Sequence, residues 1–137
     1  MIQIFHLDQE LSRDERLAIR DPLPENWPKL TADEREEVRT KMQFDAVLKA
    51  WNEGKYHKVA DVNATDIWYA FSHTNSVRHN WFEHPALGVT PMPGKHFSTS
   101  KGDIVVNDAG EVGFFNGHSV TYIIYCNEDE AQQSLAA

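Results

Sequence analysis

The sequence predicts an α+β fold, with a small, mostly antiparallel sheet and one long and one or two short helices packed on one face. The first observation is order: β-prone runs cluster late in the chain, and helical patterns lie in its early and middle parts. The second is a hairpin signal, because the β-branched run Ile104–Val106 and the return run Val112–Phe115 flank a Gly/Asn/Asp turn at 107–110.

The first half of the chain contains one predicted strand and two predicted helices. Ile2–Leu7 alternates in the way typical of a strand. Ser12 and Glu15 have capping-box spacing, which favours a short helix to Arg20. A second capping box at 31–34 opens a long helix over 32–53, which Gly54 ends. The expected buried face of that helix is Phe44, Val47, Leu48 and Trp51.

The second half begins with a predicted strand at Tyr56–Val62. Asn63 is the expected cap of a short helix with Asp66 at its third position. Residues 74–94 are expected to form a long loop, a feature that is usually functional or mobile. The apolar run 120–126 is expected to be a central strand. The predicted apolar face of the short helix is Ala64, Ile67, Trp68 and Phe71.

Length and composition indicate one domain over 1–126, followed by a flexible acidic and polar tail at 127–137. Cys126 is the single cysteine, so an internal disulfide is excluded and a reducing compartment is the simplest interpretation. The amino-terminal residues lack the basic region and long apolar run of a signal peptide. We therefore expect a cytoplasmic protein with no membrane span.

The formal net charge of −8 argues against general binding of nucleic acid, which needs a basic surface. Acidic groups cluster at 14–15, 33–37 and 128–130. Such clusters are typical of helix first turns and solvated tails, and they also suit electrostatic steering toward a basic protein surface.

Five histidines lie in the second half of the chain and are candidates for acid–base or metal chemistry. Their spacing matches no single helix face, and the chain contains neither HExxH nor paired cysteines. We therefore expect no metal site and no cofactor. An enzyme would instead require a pocket in which at least two imidazoles meet a carboxylate. The five are His73, His79, His84, His96 and His118.

The segment before the hairpin is expected to be a structural turn. Ser98 and Ser100 precede Gly102 and Asp103, and short polar side chains at such a place usually bond to the nearby backbone. No nucleophile motif accompanies them, so the sequence identifies no catalytic residue.

Residues 61–106 resemble small proteins carried by plasmids, phages and other mobile elements. In those proteins a "DLxxAFxLTN" helix precedes a His/Trp loop and an "STSxGDV" turn. The matching stretches here are 65–75, His79 to Trp81, and 98–104. YodL-like domains of mobile elements are similar in the same part. The resemblance implies a mobile-element setting and an accessory function, and it supplies no catalytic residues.

Together these observations predict a non-enzymatic accessory protein of a phage or plasmid. It would bind a host protein, with inhibition of a defence component as one form of that binding. Two alternatives stay open: a small enzyme or metal site built from the histidines of 73–118, and a binder of single-stranded nucleic acid. A homodimer formed through a hairpin edge is a further option that nothing in the sequence requires. The expected partner-binding residues are Arg78, Trp81, Phe82, Glu83 and His84. Exposure of Trp81, Phe82 and His84 would support this interpretation, and full burial of both Trp81 and Phe82 would exclude it.

Overall fold

The computed structural model describes residues 1–23, 29–76 and 80–124. These residues form three helices and six strands, and the predicted α+β class is confirmed. In chain order the elements are β1 (Ile2–Leu7), α1 (Arg13–Arg20), α2 (Ala32–Asn52), β2 (Tyr56–Val62), α3 (Ile67–Thr74), β3 (Val89–Pro91), β4 (Ile104–Val106), β5 (Val112–Phe115) and β6 (Val120–Ile124).

The chain divides into two compact units. The sheet unit comprises Met1–His6 and the residues from Lys58 onward, and the helical unit is Leu7–His57. The sheet unit contains α3 and most of the strand residues, and the helical unit contains α1 and α2. The predicted single domain over 1–126 stays a prediction. Cys126 and the predicted tail lie outside the described residues.

The sheet has the strand order β3-β2-β1-β4-β5-β6. Its described pairings are antiparallel, and they include the predicted hairpin, where Val105 of β4 lies opposite Gly113 of β5. β1 and β4 are central, and Ile4 pairs with Val105 there. Strands with neighbours on both sides lose the most surface to solvent, so these residues are fully buried.

Two predictions about strands were wrong. β6 is the last strand in the sheet order and not a central one, and its residues are only half-buried because a single strand pairs with it. The predicted loop at 74–94 contains β3, a three-residue strand that pairs with β2. β3 is short, ends on Pro91 and follows Gly88, so it carries almost no local strand signal.

The core of the sheet unit contains mainly aliphatic strand residues. Side chains of Ile4, Val59 and Val105 meet there, and Ala70 of α3 packs against the same cluster. Trp81 and Phe115 add two large rings. Apolar burial of this kind contributes about 25 cal/mol per Å² of surface removed from water, so this cluster supplies much of the stability of the unit.

Helix α3 begins later than its sequence indicates. Asp66 is its N-cap, and the Asp66 carboxylate accepts the backbone N–H of Trp68 at 2.9 Å. Asn63 instead donates its backbone N–H to the carbonyl of Gly88 at 2.8 Å. Within the predicted apolar face, Ala64, Ile67 and Phe71 pack against the core. Trp68 is different, since 47% of its surface is exposed.

The helical unit confirms both predicted capping sites. The Ser12 hydroxyl accepts the backbone N–H of Glu15 at 3.1 Å, and Thr31 and Glu34 form a reciprocal capping box. The buried side of α2 is Gln43, Val47 and Ala50, so only Val47 of the predicted face is fully buried. The other predicted members, Phe44, Leu48 and Trp51, are half-buried.

A first prediction concerns the pKa of Glu34. The hydroxyl and the backbone N–H of Thr31 bind the carboxylate and hold the pKa of Glu34 below its ordinary value. A lowered folded-state pKa stabilises the fold above the unfolded pKa, and this stabilisation is lost as pH falls through the folded pKa. In an NMR titration of the Glu34 carboxyl, Thr31→Val should move the pKa upward. Thr40→Val, in the exposed middle of α2, should leave it in place. An unchanged pKa of Glu34 in Thr31→Val would contradict the capping geometry.

A second prediction concerns the approach of β6 to β5. A methyl group added at Gly113 would lie 2.6 Å from Val120 Cγ1 and 3.2 Å from the Thr121 carbonyl oxygen. Gly113→Ala should therefore lower the free energy of unfolding by about 1–3 kcal/mol through overpacking. Urea titration measures this change, and adding Val120→Ala should restore part of the loss. Equal stabilities of Gly113→Ala and the unchanged chain would show that β6 moves away freely.

Candidate functional site

The sheet unit contains an open groove with a volume of about 530 Å³. We call it the His groove, and its lining residues are Ser72, His73, Ser76, Asn80, Trp81, Glu83, His84 and Ala86. It brings together two of the five candidate histidines and one carboxylate. Three of the predicted partner-binding residues also line it. The predicted Arg78 and His79 lie outside the described residues.

Two segments position these side chains. Ser72 and His73 come from the last turn of α3, and the others come from the loop that follows it. Hydrogen bonds to backbone atoms hold that loop in place. The Leu87 carbonyl accepts the Tyr69 hydroxyl at 2.6 Å, and the Val89 N–H donates to the Ala86 carbonyl at 3.0 Å. Gly88 has a φ of 83°, which favours glycine, and its carbonyl accepts the Asn63 N–H described above.

Trp81 forms part of the groove wall but belongs to the core. Only 5% of its surface is exposed, and its indole N–H donates to the Phe97 carbonyl at 2.9 Å. The ring of His96 stacks on it with centroids 5.6 Å apart, and Phe82 meets it edge-on at 6.0 Å. The expectation of exposed aromatic contacts therefore does not hold for Trp81. Phe82 is half-buried, and both Glu83 and His84 are exposed.

The remaining described histidines of the predicted set do not enter the groove. His96 donates Nε2–H to the Met92 carbonyl at 2.8 Å while it stacks on Trp81. His118 lies in the turn between β5 and β6 and lines a different, smaller cavity. The four described histidines of the set thus separate into three environments, which their sequence spacing gives no means of predicting.

The groove residues offer binding groups more than fixed catalytic geometry. The side chains of His73, Glu83 and His84 make no hydrogen bond or ion pair with another described residue. Tyr69 lies beside His73, with ring centroids 4.4 Å apart. Among residues 1–23, 29–76 and 80–124, no group of three or more His, Cys, Asp or Glu is placed to hold a metal ion.

A buried polar chain ties the site to the sheet, and sequence reasoning missed it. His6 Nε2 lies 2.8 Å from Thr99 Oγ1, and the Thr99 hydroxyl lies 2.8 Å from Thr74 Oγ1. All three side chains are buried. The alternation of β1 does indicate that His6 is buried, because side chains two residues apart share a face of a strand and Ile2 and Ile4 lie on the same buried face.

The direction of each hydrogen bond in this polar chain follows from its last acceptor. A carbonyl only accepts, so the Thr74 hydroxyl donates to the Ala70 carbonyl at 2.8 Å. Thr74 Oγ1 must then accept from Thr99, whose single hydroxyl proton is thereby used. His6 therefore donates from Nε2–H to Thr99, and its neutral form carries the proton on Nε2.

The predicted turn adjoins this polar chain. The Asp103 carboxylate accepts the Ser100 backbone N–H at 2.8 Å, and the Asp103 N–H donates to the Ser100 carbonyl at 3.0 Å. Gly102 has a φ of 89°, and Ser98 is half-buried at the start of the segment. Asp103 is fully buried, with its Oδ2 3.8 Å from His6 Nε2. Asp103 and Ser100 thus close the predicted turn by bonding to each other.

Comparison of the chain with known protein families, curated proteins and solved structures gave no match. Across the described parts of the chain, no helix combines the length and apolar character needed to cross a bilayer. The interpretation of the groove therefore depends on its own contacts.

A third prediction tests the polar chain. Thr99→Val keeps the shape but leaves His6 Nε2–H and Thr74 Oγ1 without their partner, which should lower the free energy of unfolding by about 1–3 kcal/mol. Thr99→Ser retains the hydroxyl and should lose less. Urea denaturation gives both values, and ¹⁵N NMR of His6 should show Nε2 protonated. A Val variant as stable as the Ser variant would contradict the network.

Proposed function

We propose that this chain is a non-enzymatic protein that acts by binding another protein through the His groove and the adjacent Leu87. The observation that carries the proposal is the state of Leu87, which is 91% exposed on a loop whose backbone is held in place. A residue whose backbone is already fixed beside a groove can place its side chain in a pocket of a partner without the cost of ordering the loop.

The fixed loop makes Leu87 different from an incidental surface leucine. Its own carbonyl is bound by Tyr69, and the next residue, Gly88, is bound by Asn63. The backbone conformation therefore exists before any partner arrives. Binding energy in protein interfaces concentrates in a few such anchors, and surrounding residues exclude water.

The groove supplies the polar part of the proposed contact. His73 and His84 can donate or accept hydrogen bonds, and Glu83 accepts them. These three side chains make no hydrogen bond or ion pair with another described residue. The net charge of −8 favours encounter with a basic surface. Because the chain resembles mobile-element proteins, the partner we propose is a host protein in the cytoplasm, such as a defence component.

A second candidate is an enzyme that uses the same groove for acid–base chemistry. It is favoured by one observation, the convergence of His73, His84 and Glu83 on a cavity of about 530 Å³. That volume lies within the usual range for small-molecule sites, roughly 300–1,000 Å³. Protein binding is the better supported function, because it also accounts for the exposed Leu87 on a loop whose backbone is fixed.

The fourth prediction tests the binding proposal. Tagged protein is used to capture partners from host lysate treated with nuclease, and captured proteins are then purified and their affinity measured by calorimetry. Leu87→Asp should weaken binding at least tenfold, about 1.4 kcal/mol, because a carboxylate cannot enter an apolar pocket. His84→Ala should weaken it to a smaller extent.

The matched control is Leu17→Asp, which changes another exposed leucine in the helical unit. It should bind as the unchanged chain does. A partner that binds all three variants equally would place the contact elsewhere. NMR spectra can also show whether a small molecule binds the groove. Binding that is lost in His84→Ala and kept in Leu87→Asp would favour the enzyme candidate.

A further inference from the structure

A second, smaller site lies beside Trp68 and Phe71 of α3. Its cavity has a volume of about 70 Å³. We call it the aromatic notch, and it is lined by Trp68, Phe71, Phe115, Lys101, His118 and Ser119. We propose that the aromatic notch binds a peptide segment of a partner protein in which an apolar side chain is flanked by carboxylates. The aromatic notch shares no residue with the His groove, so this inference stands independently of the function proposed above.

The three rings form the apolar part of the notch. Phe71 and Phe115 have centroids 4.6 Å apart, and Trp68 meets Phe71 edge-on at 5.8 Å. Phe115 is buried and Trp68 is about half exposed, so the tryptophan extends an internal aromatic cluster to the surface. Its backbone is fixed by the Asp66 cap and by the Ser72 hydroxyl, which donates to the Trp68 carbonyl at 2.5 Å. Tryptophans in such settings are frequent anchors of protein interfaces.

The volume of the notch indicates the size of its occupant. Sites for whole small molecules usually measure roughly 300–1,000 Å³. A cavity of about 70 Å³ admits one side chain. The occupant is therefore a side chain that belongs to a larger molecule, which supplies further contacts around the rim.

The charge of the rim indicates the neighbours of that side chain. Lys101 and the imidazole of His118 line the notch, and no carboxylate belongs to the part of its lining that the structure describes. A methyl group added at Gly117 would lie 3.8 Å from Lys101 Cδ, so the lysine stem passes beside this turn. In a chain with net charge −8, this lining is locally basic and suits an anion next to the apolar side chain.

The same features favour a peptide over single-stranded nucleic acid. Nucleic-acid binding needs cations along a groove that follows many phosphates. Here the basic groups meet at one point of an acidic chain, which matches one or two carboxylates. A peptide in which aspartates flank a leucine therefore fits the notch better than single-stranded nucleic acid with its stacked bases.

The test uses the full chain, labelled with ¹⁵N, and the blocked peptide Ac-Gly-Asp-Leu-Asp-Gly-NH₂. Saturable shifts should appear at 67–71, 101 and 115–119, with a Kd of about 1 mM, as expected for a short peptide. The peptide with Asp-Ala-Asp tests the cavity, and the peptide with Asn-Leu-Asn tests the charge. Each should bind at least threefold more weakly.

Variants of the chain complete the test. Trp68→Ala should weaken peptide binding at least fivefold, and Lys101→Gln about threefold. The matched control is Lys95→Gln, an exposed lysine of the same unit outside the notch, which should bind as the unchanged chain does. Because Lys101→Gln leaves the aromatic cluster intact, the result does not depend on the folding of Trp68→Ala.

Several outcomes would overturn the proposal. One is the absence of saturable shifts at the notch, and another is equal binding of all three peptides. Tighter binding of oligo-dT than of the peptide at the same residues would assign the notch to nucleic acid. Concentration-dependent shifts at the notch without any peptide would assign it to contact between copies of this chain.

Discussion

The polar chain that runs from His6 through Thr99 to Thr74 is the constraint on which the sheet unit depends. Its groups lie in an apolar interior, where an unpartnered donor or acceptor costs about 1–3 kcal/mol. Because each hydroxyl has one proton, the three bonds form together or leave a group unpartnered. This requirement fixes three segments against one another: β1, the end of α3, and the turn before β4. The His groove begins at that end of α3, so its first wall is set by these bonds.

Local signals account for what the sequence could predict. The caps at Ser12 and Thr31 bind atoms three residues away, and the β4–β5 turn closes over a few residues, so their patterns are complete within short stretches. The position of β6 in the sheet, by contrast, depends on residues far away in the chain. Its apolar run is consistent with a central or an outer strand. The choice depends on β1, which pairs with β4 although Ile4 and Val105 are 101 residues apart in the chain.

The candidate site was predictable in its residue types and not in its arrangement. Glu83 and His84 were identified because their side chains carry chemistry, and both are exposed in the groove. The burial of Trp81 depends on the distant Phe97 carbonyl and the ring of His96, which no sequence pattern indicates. Trp68 is exposed because the buried face of α3 is centred on Ala70 and Thr74, and Trp68 lies at the margin of that face.

The two ends of the strand order differ in a way that limits how copies of this chain can associate. β3 is three residues long and ends on Pro91, which has no N–H to offer a further strand. Of the two outer strands that the structure describes, β6 is therefore better suited than β3 to pair with a further strand. Two β6 strands that pair antiparallel are related by a two-fold axis, and this symmetry closes the assembly at two copies. Growth into a fibre needs two sheet edges that can both pair with further strands, and Pro91 makes the β3 edge unsuited to such pairing.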